Sequence, residues 1–287
     1  MRWISLANWG KLSICLLAAA HCSGAIAADA DGGVDPAAQS SAVDTTEVVY
    51  DVPPSAFQIG HEALLAKDYA TAYRSLRDAA EQGVAQAQAA LGEMYLAGQG
   101  VNADDAEALR WYRSAAKQGD AKGQAGLGRM HAEGRGVPRD DEAAIKWFRL
   151  AGENEEPAAQ SSLGLMYLEG RGVEKNEAEA AGWLQMAALK GEPLAQVNLG
   201  LMLLDGRGVE RDHAEAALWF LRAAEQGNAL AQYHLGLSYA EGRGVDQDRE
   251  EALKWLTSAA EQGLAPAKDY LWAYSWASRN VSAESRN

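Results

Sequence analysis

Cysteine is nearly absent: Cys15 and Cys22 are the only two, and both lie in the first 27 residues. If that segment is removed, the remaining chain can form no disulfide, thiolate metal site or thiol nucleophile, so its stability must come from packing. Positive charge is also short. Against 40 Asp and Glu stand 26 Lys and Arg, a net charge of −14, which repels phosphate backbones and anionic lipid and excludes nucleic acid as a natural partner. No long apolar run is present. The longest, from Leu12 to Ala20, is far too short for a stable membrane span.

Enzyme constellations are missing as well. There is no His-Glu-x-x-His, no Gly-x-Ser-x-Gly and no phosphate-binding loop. The five histidines, His21, His61, His131, His213 and His234, share no spacing that a metal would require, so no metal and no cofactor is expected. Ser114-Ala115-Ala116-Lys117 matches the Ser-x-x-Lys of penicillin-recognising enzymes, but Arg222-Ala223-Ala224-Glu225 and Ser258-Ala259-Ala260-Glu261 occupy the same frame elsewhere. The match arises from repetition.

The two ends read as appendages. Arg2 and Lys11, the apolar run and Ala25-Ile26-Ala27 form an export signal over 1–27, whose removal leaves 24 basic residues against 40 acidic ones. His21 before Cys22, where a lipoprotein cleavage site wants a small residue, argues against lipidation of Cys22. Residues 28–55, rich in Asp, Gly, Ala, Ser, Thr and Pro, read as a flexible linker.

What fills the rest is a 36-residue pattern. Leu91-Gly92, Tyr95, Gly98-x-Gly100-Val101, Trp111 and Ala115-Ala116 recur at Leu127, Leu163, Leu199 and Leu235, and a period of this length signals a solenoid. Within each unit Ala87, Leu91, Met94 and Tyr95 fall on one face of a first helix, which the glycine pair stops; Ala108, Trp111, Ala115 and Ala116 share a face of a second, ended by Gly119. Asp104, Asp140, Asn176, Asp212 and Asp248 sit where an N-cap belongs, with Glu107, Glu179, Glu215 and Glu251 three residues on, a capping-box pattern that only Ala143 breaks. These carboxylates are caps before they are catalysts. Glycine inside the first helix, at Gly92, Gly128, Gly164, Gly200 and Gly236, costs about 1 kcal/mol against alanine and implies close approach of a neighbouring helix. The tryptophans Trp111, Trp147, Trp183, Trp219 and Trp255 are expected as apolar plates in the hairpin interior rather than as a sugar-stacking ladder.

The signature Leu-Gly-x-x-Tyr-x-x-Gly-x-Gly-Val, then Asp, Ala-x-x-Trp and Ala-Ala, resembles the Sel1-like repeat family. That resemblance implies an all-α fold: tetratricopeptide-related α/α hairpins stacked into a right-handed superhelix, with a role as protein scaffold or adaptor. His131 and Leu203 replace the usual Tyr, and Glu155 replaces a glycine between the second and third units, where a different turn is expected. Residues 56–83 read as a degenerate tetratricopeptide-like capping unit, 84–263 as five repeats, 264–278 as a C-terminal capping helix and 279–287 as a tail, giving 13 helices.

The signature leaves one face of the first helix free, and in this fold that helix lines the concave side. On it lie Ala90 and Glu93; Lys122, Gly126 and Arg129; Ser162 and Leu165; Leu194, Asn198 and Leu201; Leu230, His234 and Leu237. Glu93, Arg129, Leu165, Asn198, Leu201, His234 and Leu237 are therefore the candidate binding residues, with Leu165, Leu201 and Leu237 either an exposed apolar stripe for an amphipathic peptide or packing between first helices. Arg135, Arg171, Arg207 and Arg243, each two residues after an acid, suggest a ladder of loop ion pairs. The expected protein is an exported, periplasmic, non-catalytic scaffold for a protein or peptide partner in the envelope. A cell-wall enzyme or binder and a secreted factor for host proteins are the alternatives.

Overall fold

The computed structural model describes residues 54–273, all within one compact unit, Val52–Asn287. The expected signal, most of the linker, the tail, His21 and both cysteines lie outside the described residues. The described chain is all helix: α1 (Ala56–Leu65) and α2 (Tyr69–Glu81), then five pairs. The first helices of the pairs, the A row, are α3 (Ala85–Ala97), α5 (Ala121–Glu133), α7 (Pro157–Glu169), α9 (Pro193–Asp205) and α11 (Ala229–Glu241). The second, the B row, are α4 (Asp105–Lys117), α6 (Asp141–Glu153), α8 (Glu177–Leu189), α10 (His213–Glu225) and α12 (Arg249–Glu261). Residues 265–273 form one helix more, the thirteenth. Each helix packs on its chain neighbours, and α3 also meets α5 and α5 meets α7, whereas no two B helices make a comparable contact. The A row is the inner face of the stack.

The B helices start as expected: the side chains of Asp104, Asp140, Asn176, Asp212 and Asp248 accept backbone N–H bonds from the first turn. The reciprocal half of the capping box has another solution. The N–H of each cap residue donates to a carbonyl at the signature Tyr position, as Asp104 does to Tyr95 and Asp140 to His131. Glu107 is thereby released to pair with Arg110, Glu251 to pair with Lys254 and Glu215 to accept from the Trp219 indole. A complete box occurs once among the described helices, at Ser55 and Gln58 before α1.

The helix-A glycines are explained by a side chain rather than by a backbone. A Cβ on Gly92 would lie 2.8 Å from the Tyr112 ring, one on Gly128 2.6 Å from Phe148, and one on Gly236 2.7 Å from Leu256. The residue pressed on the glycine thus follows the tryptophan, while Trp111 and Trp219 are buried in the core as expected of apolar plates. Trp183 instead reaches toward the preceding unit, 3.2 Å from a Cβ on Gly152. Cations cover several indole faces, Arg110 over Trp111 at 4.2 Å and Arg222 over Trp219 at 4.5 Å, leaving no open ladder for sugar stacking.

Successive units are fastened by the loop. Gly134 takes φ 72° and ends α5. Gly136, two residues on, meets the preceding unit: a Cβ there would lie 2.8 Å from the Asp105 carbonyl oxygen. The arginine between them reaches the same helix start, Arg135 holding Asp105 at 2.6 Å and the Leu96 carbonyl at 3.0 Å, Arg171 holding Asp141 at 2.9 Å and Arg207 holding Glu177 at 3.2 Å. The expected ladder exists, and Arg171 keeps its loop neighbour Glu169 at 3.8 Å, but the closest contacts of these three arginines join adjacent units. At the fourth rung His213 stands where the acid should be, and Arg243 turns to Glu241.

A second ladder is made of amides. Buried Gln88, Gln124, Gln196 and Gln232 each accept from an amide at the end of the next B helix, Gln118, Asn154, Gln226 and Gln262, at 2.8 to 3.0 Å. Gln160 lacks this bond because its counterpart is Lys190, whose ammonium goes to the carbonyl and carboxylate of Glu155, both at 2.8 Å. The Gln160 Oε1 is left buried without a partner. The turn at Glu155, expected to differ, is the same as the others. Glu155 and Glu156 donate to Gly152 and Ala151 as Gly119 and Asp120 donate to Ala116 and Ala115, with Glu155 forced to φ 63°.

Candidate binding groove

The inner face holds one large groove, about 960 Å³, lined by α1, α3, α5 and α7 with Tyr112 and Phe148 beneath. Its floor is a single repeat position occupied by small residues, Ala90, Gly126 and then Ser162. Farther along the same position becomes Asn198 and His234, and the groove ends. His234 stacks on Phe220 at 5.1 Å, whereas Gly126 lets the Tyr112 ring press directly on α5, a Cβ there falling 2.5 Å from the ring. Burial holds the His234 imidazole below its ordinary pKa, with Arg243 acting in the same direction.

Of the candidate residues, Glu93, Arg129 and Leu165 line this groove, while Asn198, Leu201, His234 and Leu237 continue the A-row face beyond it. Leu165, Leu201 and Leu237 are all half-buried, and Leu201 packs against the main core. The exposed apolar residues at this end are their neighbours nearer the helix start, Leu194 at 55% and Leu230 at 39% exposure.

Glu93 and Arg129, identical positions in adjacent units, are bound to each other rather than standing as separate charges. Tyr112 completes the set, its hydroxyl donating to Glu93 at 2.6 Å and receiving Arg129 at 3.0 Å. Burial alone would raise the Glu93 pKa, but hydrogen bonds from Tyr112 and Arg129 outweigh it and hold the carboxyl below its usual value. The Tyr112 hydroxyl is pushed up, first by burial and then by the Glu93 charge. This triad is a strut across α3, α4 and α5. Sequence reading missed Tyr112, which hides beside the conspicuous Trp111; the signal available was Tyr where other units have Phe or Leu.

The Ser-x-x-Lys match has no nucleophilic geometry: the Ser114 hydroxyl donates to the Arg110 carbonyl at 3.1 Å, and Ser258 does the same to Lys254. Among the described residues no helix is long and apolar enough to cross a membrane, and no cluster of metal-ligating side chains occurs.

Paired helices of constant length, an inner groove and inter-unit latches define the class of α/α-repeat scaffolds. The Sel1 repeat model matches at 85–120, 121–155, 157–192, 193–228 and 229–264, and the chain belongs to that family. Proteins built of these repeats are generally protein–protein interaction scaffolds and typically non-catalytic. Among solved structures the chain is similar to a protective antigen of uropathogenic Escherichia coli with an SLR fold, at 37% identity over 75% of this chain and TM-score 0.65. It spans 47% of that protein's length. A Sel1 repeat protein from Oxalobacter formigenes is 33% identical over 75% of this chain and 86% of its own, with TM-score 0.66. An immunity protein from Pseudomonas aeruginosa shares the fold, at 20% identity, 76% and 86% coverage and TM-score 0.52. No curated protein matches the sequence.

Proposed function

We propose that the chain is an exported scaffold of the bacterial envelope, periplasmic in location, that holds a protein or peptide partner in the groove over α1, α3, α5 and α7 and catalyses no reaction. The observation that carries this reading is the groove itself. Its floor is built from positions that the repeat signature does not use, and their small side chains leave about 960 Å³ open. A cavity kept open by the residues free to vary is a binding feature rather than a packing one. The export pattern at residues 1–27 supports the location.

Ser162→Trp fills the floor without altering charge. Tagged wild-type protein should capture a defined partner from envelope extract, seen by mass spectrometry, and the variant should lose it while keeping its helical circular dichroism and thermal midpoint. Equal capture by both proteins would move binding off the groove. A reporter enzyme active only outside the cytoplasm, fused after Asn287, should be active; inactivity would refute export.

A further inference from the structure

The groove's chemistry narrows the partner, on the reading that the groove is where a polypeptide binds. The A helices run side by side, so their starts form one rim and their ends the other. At the starts of α5 and α7 stand Asp120 and Glu156, and at their ends Glu133 and Glu169. Counting Glu93, five carboxylates line the groove against three cations, Lys122, Arg129 and Arg171. Two of those cations are already engaged, Arg129 by Glu93, and Arg171 by Asp141 and, at 3.8 Å, by Glu169. The carboxylates of Glu133 and Glu156, one on each rim, make no hydrogen bond or ion pair with any described residue.

Local helix energetics account for the acids at the helix starts but not for those at the helix ends. Asp120 caps α5 and Glu156 stands at the favoured positive end of α7 without a cap bond, whereas Glu133 and Glu169 close their helices at the negative end of the dipole, where a carboxylate is disfavoured. Between the rims the floor side chains, Ala90, Gly126 and Ser162, are small, so bulk must come from the occupant. Four inner helices spaced about 9 Å apart give a channel of about 27 Å, the length of roughly eight extended residues.

We infer that the groove takes an extended cationic peptide segment, in which apolar side chains drop between α3, α5 and α7 while lysines or arginines meet the carboxylates on both rims. Such pairing supplies steering and specificity, and it weakens with salt.

Three fluorescein-labelled decapeptides test this by anisotropy with the full chain: repeated Lys-Ala-Val, repeated Glu-Ala-Val, and repeated Lys-Gly-Ser. The Lys-Ala-Val peptide should bind, with affinity falling as salt rises. The acidic twin should not bind, and Lys-Gly-Ser should bind at least tenfold more weakly. Glu133→Lys with Glu156→Lys should weaken the first peptide at least tenfold. Glu192→Lys with Asp205→Lys, which changes the equivalent helix start and end beyond the groove, should leave it within twofold. Equal binding of both charge types, or equal effects of the two double variants, would overturn the inference. So would self-association abolished by Ser162→Trp, which would make a second copy the occupant. If Ser162→Trp abolishes envelope capture while the cationic peptide fails to bind, the groove reading stands and the charge inference falls.

Discussion

The interruption of the amide ladder at Gln160 makes a quantitative prediction. Replacing Lys190 by Gln restores the pattern of Gln118, Gln226 and Gln262 and gives the buried Gln160 Oε1 a donor. An unsatisfied buried acceptor costs about 1–3 kcal/mol. The substitution also breaks the ion pair between Lys190 and Glu155, but the Glu155 side chain is 79% exposed, so that pair offsets little. Replacing Glu155 by Gly removes a left-handed non-glycine residue at φ 63°, a relief of roughly 1–2 kcal/mol, less about 0.5–1 kcal/mol for the freedom glycine adds to the unfolded chain. The double variant should therefore gain about 2 kcal/mol, and its thermal midpoint should rise by roughly 4–8 °C for a chain of this size. Scanning calorimetry of the four proteins in the cycle measures both effects, and amide exchange should slow most at the α6–α7 junction. A Lys190→Gln variant no more stable than wild type would refute the idea that the unpartnered carbonyl is a cost. A coupling energy above about 1 kcal/mol would show that the exposed Lys190–Glu155 pair matters more than its exposure implies.

Three further outcomes are expected. Gly136→Ala combines positive φ with a Cβ 2.8 Å from the Asp105 carbonyl oxygen and should cost about 3 kcal/mol or more by urea titration, whereas Gly182→Ala, with open space around its Cβ, should stabilise by about 0.5–1 kcal/mol. Glu93→Gln should cost about 1 kcal/mol at pH 7, read as a lower thermal midpoint. Because the folded pKa of Glu93 is lowered, its stabilisation is full above the unfolded value near 4.5 and is lost as pH falls through the folded value, so the variant should show a flatter acid limb below pH 4.5. His234 is also lowered. Folding is then favoured with the imidazole neutral, stability declines as pH drops below about 6.5, and His234→Phe should abolish that decline in a series of thermal midpoints from pH 7.5 to 5.

The repeat, both helices of each unit, the N-caps and the stop at Gly98 were legible in the sequence because each rests on interactions within a few residues. The partners of Arg135 and Gln88 were not, since each lies 30 residues away, Asp105 in the preceding unit and Gln118 on the other helix of its own unit, and a pattern that repeats says which residues matter without saying which ones they touch. Glu155 misled for a related reason: a glycine-free turn reads as a different turn, yet neighbouring units impose the common geometry and the residue absorbs the strain. The groove was half visible. The column of Leu165, Leu201 and Leu237 drew attention to bulk, when the open space is set by the missing bulk of Ala90, Gly126 and Ser162 one turn away.

The latches have a direction. Gly136 and Arg135 dock on the start of α4, Gly172 and Arg171 on the start of α6, and always the later loop on the earlier helix. A chain completed from its amino end meets every receptor already built, so the stack can grow by addition without reopening what precedes it. Shortening is correspondingly unequal. Removing the last 36-residue unit leaves a finished helix start with nothing on it, whereas truncation from the amino end through α4 strands Arg135 and Gly136 with no seat. Truncation should therefore be better tolerated at the carboxyl end than at the amino end.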